Sequence, residues 1–162
     1  MRELPEKKLV GKKMRMSLAN NTTGDLWRDF MPLRSAVRHK AGTDLFSMQV
    51  YDDTSCFSRF DPRNEFYKWA AVEVTMFEEI PDGMETFVLK GGHYAVFIHH
   101  GLPSEGDRTF GYIFGTWFPA SAYDLDDRPH FEILGSKYRN GSPDSEEEVW
   151  IPVRPRQTDS AK

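Results

Sequence analysis

A single cysteine, Cys56, stands in a chain of 162 residues, so no disulfide can form within it and a reducing, cytoplasmic setting is expected. As a lone thiol it is expected to be a small packing residue rather than a nucleophile. No apolar run approaches the roughly twenty residues that a membrane helix needs, and no signal sequence precedes the first strand, so no membrane partner is expected. No long basic run is present and the net charge is −4, which argues against direct contact with nucleic acid. The basic residues between Lys7 and Arg15 interleave with Leu9, Val10, Met14 and Met16 and read as the solvated side of a strand. Among five histidines, His39, His93 and His130 lack a partner at ligand spacing, and the neighbours His99 and His100 point to opposite faces of a strand. No glycine-rich phosphate loop, zinc motif or Ser-His-Asp pattern occurs. Neither a metal nor another cofactor is expected, and no motif marks the chain as an enzyme.

Aromatic residues, by contrast, are abundant at 14%, enough to fill a core, line a pocket or do both. They also reveal a repeat. Gly24-Asp25-Leu26-Trp27-Arg28-Asp29-Phe30-Met31-Pro32 matches Gly111-Tyr112-Ile113-Phe114-Gly115-Thr116-Trp117-Phe118-Pro119 at a constant offset of 87 (Gly24 to Gly111, Pro32 to Pro119). Each copy precedes an apolar strand, Phe46 to Tyr51 and Phe131 to Leu134. Each of those precedes a strand led by tryptophan, Trp69 and Trp150. A duplicated strand–helix–strand–strand unit predicts an α+β fold of two pseudo-symmetric modules, with antiparallel sheets and a ligand cleft between them. The length suits one domain over residues 1–154, with halves of about 8–89 and 92–154 and a flexible tail over 155–162.

Residues 1–6 read as a loose lead-in and Leu9 to Leu18 as the first strand. Asn20 to Gly24 carries helix-starting chemistry. Pro32 should kink or break the first helix, with helical pattern resuming to His39. Asp52 to Pro62 is turn-rich, anchored by Cys56, Phe57 and Phe60. Further strands are expected at Trp69–Val74, Met84–Leu89 and His93–His99. In the second helix Phe110, Ile113, Phe114, Trp117 and Phe118 form one apolar face that should pack on a sheet. Residues 119–129 and the acidic stretch 139–147 read as loops.

Strand alternation selects the candidate site. Phe131 and Ile133 point to one face and Glu132 to the other. If the apolar pair lies beneath the helices, Glu132 faces the cleft. Trp150 and Glu148 share a face of the last strand. Trp69, Ala71 and Glu73 share one in the middle strand, and Ser47, Gln49 and Tyr51 share one in the second. The expected cleft therefore holds Glu132, Trp150, Tyr51, Trp69, Glu148 and Glu73. Aromatic faces with a carboxylate suit a flat organic cation, at ~0.5–2 kcal/mol for each well-placed ring.

Tyr94-Ala95-Val96-Phe97, Gly115-Thr116-Trp117-Phe118-Pro119, Leu125-Asp126-Asp127-Arg128-Pro129-His130-Phe131-Glu132 and Glu147-Glu148-Val149-Trp150-Ile151-Pro152-Val153 resemble the gyrase-inhibitor-like (GyrI-like) effector-binding domains. These are the ligand-sensing modules of AraC-type and MerR-type drug-responsive activators, and they also occur alone. The resemblance runs from about Lys8 to Arg154. It implies paired modules about a pseudo-two-fold axis with a central cleft. It also implies a pocket acid at Glu132, an aromatic at Trp150 and a second acid at Glu148. No helix-turn-helix segment is legible here. The function expected is capture of small, apolar, cationic aromatic molecules for sensing, sequestration or drug resistance. Two alternatives follow from the same resemblance. One is a hydrolase of strained, cyclopropane-bearing aromatic compounds, with Glu132 polarising water or a leaving group while Trp69, Tyr51 and Trp150 hold the substrate. The other is a gyrase-type inhibitor whose acidic loop 139–148 meets a basic protein partner.

Overall fold

In a computed structural model, residues 1–17, 19–51, 63–101, 106–135 and 144–156 are described. Cys56, Phe57 and Phe60 lie outside these residues, as do the tail beyond Arg156 and most of the acidic stretch.

Among the described residues, nine strands and three α-helices are laid down in the order β1 (Arg2–Leu4), β2 (Lys7–Ser17), α1 (Thr23–Phe30), β3 (Lys40–Val50), β4 (Glu65–Val74), β5 (Glu85–Leu89), β6 (Gly92–His100), α2 (Gly106–Tyr112), α3 (Phe118–Ala120), β7 (Tyr123–Leu125), β8 (His130–Leu134) and β9 (Glu146–Pro155). The antiparallel sheet runs β1-β6-β9-β8-β3-β4-β2-β5, with β7 added on β9. Its centre is a palindrome. β6-β9-β8 from the second half mirror β2-β4-β3 from the first, and each tryptophan-led strand lies in the middle of its module. The expected α+β fold of two strand–helix–strand–strand modules is therefore present, joined through the β3–β8 pair. The lead-in forms an edge strand, β1, rather than a loose segment. The stretch after Pro119 contributes β7, and Glu146 and Glu147 belong to β9 rather than to a loop.

Proline and helix periodicity shape the two helical segments. After Phe30 the helix tightens into a 3-10 turn over Met31–Ala36, where Pro32 sits in the first turn and no amide hydrogen is required of it. The second segment is α-helical to Tyr112, then widens into a π turn over Ile113–Trp117 before α3. Ile113 and Phe118 are buried and Phe114 and Trp117 half-buried, all against Ala95, Val149, Ile151 and Val153. α1 places Leu26 and Phe30 on Val10, Ala70, Val72 and Val74.

Register fixes the faces. Lys13, Trp69, Met48, Phe131, Trp150 and Val96 are cross-strand partners in series and share one face; Ala70, Ser47, Glu132, Val149 and Phe97 share the other. Both helices pack on the second face, as two-fold related modules require. The first face is the inside of the curl. Leu4 from one edge of the sheet and Leu89 from the other meet there with Leu9, Phe46, Met48, Trp69, Tyr94, Phe131 and Trp150.

Arg128 fastens the curl. Its guanidinium donates to the carbonyls of Gly91 (3.3 Å), His93 (2.8 Å) and Val153 (3.1 Å), its Nε to Asp126 (2.8 Å), and its plane lies 4.7 Å from the Tyr94 ring centre. Gly92, at φ +145°, is the residue that lets it in, because a Cβ there would stand 2.3 Å from the guanidinium. Loss of one half-buried charged donor strands three carbonyls at once. Arg128→Ala is predicted to destabilise the fold by about 2–4 kcal/mol. Chemical denaturation measures it, and an unchanged midpoint would show that water replaces the clamp at no cost.

Candidate functional site

The two helices cover the outer pairs of strands, β2 and β4 on one side and β6 and β9 on the other. The middle strands β3 and β8 lie between them, and their helix-side residues run from the apolar pair Leu45 and Leu134 to the polar Ser47, Gln49, His130 and Glu132. This strip breaks the apolar pattern of the face. Val72 and Ala70 on β4 give way to Lys68, and Ile151 and Val149 on β9 give way to Glu147. The polar positions thus converge where neither helix packs on the sheet.

Glu132 is 8% exposed. Gln49 Nε2 donates to its Oε1 at 3.3 Å, and Lys68 Nζ stands 3.9 Å from its Oε2. That Oε2, together with Gln49 Oε1, is buried with no hydrogen-bond partner among the described residues. A buried acceptor left open costs about 1–3 kcal/mol, more when charged, and is a feature that a bound molecule can relieve. Burial pushes the Lys68 ammonium below its ordinary range, against the pull of Glu132 and Glu147. Burial, reinforced by Glu132 and opposed by Lys68, pushes the Glu147 carboxyl up to about 7. Burial holds the His130 imidazole down to about 3, so it is neutral at physiological pH.

Aromatic rings border the strip. Tyr51 lies edge-on to His130 with centroids 5.0 Å apart and tilted against Phe66 at 5.2 Å. Phe114, from the π turn, lies nearly parallel to the His130 ring at 6.4 Å. On β6, His99 shares a short 2.7 Å contact with Thr109 of α2, which ties that helix to the sheet beside Glu147. Among the described residues no group of three metal-ligating side chains occurs.

The six residues selected by alternation divide between the two faces. Glu132 and Tyr51 lie on the helix side and border the same strip. Trp69, Trp150, Glu148 and Glu73 lie on the inner side. There Trp150 stacks on Phe131 at 5.4 Å and donates Nε1–H to Glu148 at 3.0 Å. Glu73 pairs with Lys7 at 3.3 Å, and Trp69 packs on Phe87. The expectation that Phe131 and Ile133 lie beneath the helices is corrected: they face the curl, whose interior demands large apolar side chains. Lys68 and Glu147 are the strip residues that the same alternation could have found. Lys68 heads the Ala70–Val72–Val74 series, and Glu147 heads the Val149–Ile151–Val153 series.

The family model for the GyrI-like small molecule binding domain matches residues 1–154. A curated relative, the transcriptional regulator BrlR of Pseudomonas aeruginosa, is 26% identical over 152 residues, 93% of this chain and 53% of its own length. The chain thus spans about half of that regulator. Among solved structures, SAV2435 bound to tetraphenylphosphonium aligns with a TM-score of 0.68 at 17% identity, over 94% of this chain and 92% of that one. The EcmrR C-terminal domain aligns at 0.69 with 15% identity, over 95% of each chain. Among the described residues no helix is long and apolar enough to cross a membrane. With a family match over almost its whole length and the paired-module fold in place, the chain belongs to the GyrI-like small molecule binding domains, a family with members related to transcription regulators.

Proposed function

We propose that this domain binds small aromatic monocations in the strip between α1 and α2, for sensing or sequestration. The observation that carries the reading is Glu132: a buried carboxylate with one oxygen open, bordered by Tyr51, His130 and Phe114. A cation at that oxygen satisfies the acceptor and offsets the cost of holding the charge out of water. The rings supply apolar contact and attraction between π-face and cation, and neutral His130 adds no opposing charge. Tetraphenylphosphonium, the molecule bound in SAV2435, is a suitable probe because its charge is permanent and independent of pH.

Glu147 gives the reading a pH signature. With its carboxyl pushed up to about 7, it is protonated on the acid side of neutrality and ionised on the alkaline side. Affinity for tetraphenylphosphonium is therefore predicted to rise between about pH 6 and about pH 8. Linkage fixes the sign for the empty fold as well. The folded carboxyl keeps its proton where the unfolded one has lost it, so its contribution to stability declines from about pH 4.5 to about 7. Titration calorimetry across this range, on wild type and Glu147→Gln, tests the assignment. The wild-type slope should flatten in the variant; an equal slope in both would remove Glu147 from the site.

A further inference from the structure

We propose that Lys68 is a resident counter-cation of this site, holding Glu132 while the site is empty and competing with an arriving cationic ligand. The inference rests on the binding site proposed above and adds a regulatory element to it.

The geometry supports an ammonium poised at the acid rather than locked to it. Lys68 Nζ stands 3.9 Å from Glu132 Oε2, beyond hydrogen-bond distance, and that oxygen has no hydrogen-bond partner among the described residues. Both side chains are buried, Lys68 at 6% and Glu132 at 8% exposure. Lys68 is also the strip's misfit. Its helix-side neighbours along β4 are Phe66, Ala70 and Val72, all buried, so packing alone gives no reason for an ammonium there. A lysine carries its charge on a flexible four-carbon stem and can withdraw while that stem keeps its apolar contacts.

Charge balance points the same way. Among the described residues the strip contains two carboxylates, Glu132 and Glu147, and one ammonium, Lys68. With both acids ionised, one positive charge is lacking, and a monocation fills the deficit. A ligand that approaches Glu132 meets repulsion from Lys68 and must displace it from the open oxygen. The resident ammonium thus raises the threshold for occupancy. Ligands that combine a cation with enough aromatic surface to contact Tyr51 and Phe114 pass it, whereas small hydrated cations do not. The burial that pushes the Lys68 ammonium below its ordinary range also eases release of its proton as a second cation enters.

The test is calorimetric titration of tetraphenylphosphonium and of neutral triphenylphosphine oxide into wild type, Lys68→Met, Glu132→Gln and the double variant. All measurements are made at one pH, about 8, on the ionised side of Glu147. Lys68→Met is expected to bind the cation about ten-fold more tightly than wild type and the neutral compound about equally. In the Glu132→Gln background the same change should give little or no gain. Should Lys68→Met fold poorly, Lys68→Arg serves instead. Its fork engages a carboxylate more strongly, so cation affinity should fall below wild type. Binding that depends on Glu132 but is unchanged or weakened in Lys68→Met would overturn the role of Lys68 and leave the site standing. Binding in wild type that is indifferent to Glu132→Gln would overturn the site itself. Absence of cation binding in both wild type and Lys68→Met overturns both.

Discussion

Exchanging Glu132 for glutamine is expected to weaken binding of an aromatic monocation by an order of magnitude or more, ~1.4 kcal/mol or above. Binding of a neutral molecule of the same shape should change little. Glutamine keeps the size of the side chain and an oxygen for the Gln49 amide, which lies 3.3 Å from Glu132 Oε1. What it removes is the charge. In a strip bordered by Tyr51 and Phe114, with little water to screen it, that charge attracts a cation more strongly than a surface carboxylate does. Calorimetry with a charged and a neutral ligand, alongside a thermal melt, separates charge recognition from damage to the fold. Equal losses for both ligands at unchanged melting temperature would assign Glu132 to shape rather than to charge.

The second large effect is on stability. Trp150→Ala is expected to cost about 3–5 kcal/mol. Trp150 is 5% exposed and lies inside the curl, stacked on Phe131 at 5.4 Å and edge-on to Tyr94 at 5.8 Å. The cavity left behind would be lined by Phe131, which is fully buried and also contacts Phe46, so relaxation is restricted. Its indole N–H reaches Glu148, which Arg2 approaches at 3.7 Å, so the edge strand β1 loses support as well. Urea unfolding reads the change. A variant that keeps its midpoint yet loses affinity for cations would return Trp150 to the binding site.

The repeat was legible because helix-ending proline and strand-leading tryptophan recur in the same order in both halves. The palindromic sheet is its three-dimensional expression. Alternation correctly grouped Glu132 against Phe131 and Ile133, and Trp150 with Glu148. It could not say which group lay under the helices. Both faces of this sheet are apolar, one against helices and one against itself, so hydrophobicity does not distinguish them. Size does: the curl interior takes Trp69, Trp150, Phe131 and Met48, while the helix side takes Ala70, Val72, Val149 and Ile151. Glu147 was hidden for a different reason. Alternation puts it on the face of Val149, but inside Glu146-Glu147-Glu148 it reads as one of a solvated run, and the register opposite His99 is what places it beside the strip. Lys68 was hidden because its burial depends on β3 and β8, which are distant in sequence. Arg128 lay within a motif that suggested ligand recognition, yet its donors are engaged by backbone carbonyls of β6 and β9 and of the turn before β6.

The claim that a ligand enters on the helix side of β3 and β8, rather than inside the curl, is tested most directly by a crystal structure with tetraphenylphosphonium bound. The phosphonium is expected beside Glu132, with phenyl rings against Tyr51 and Phe114 and Lys68 withdrawn from the carboxylate. Density for the cation among Trp69, Trp150 and Phe131 would contradict it.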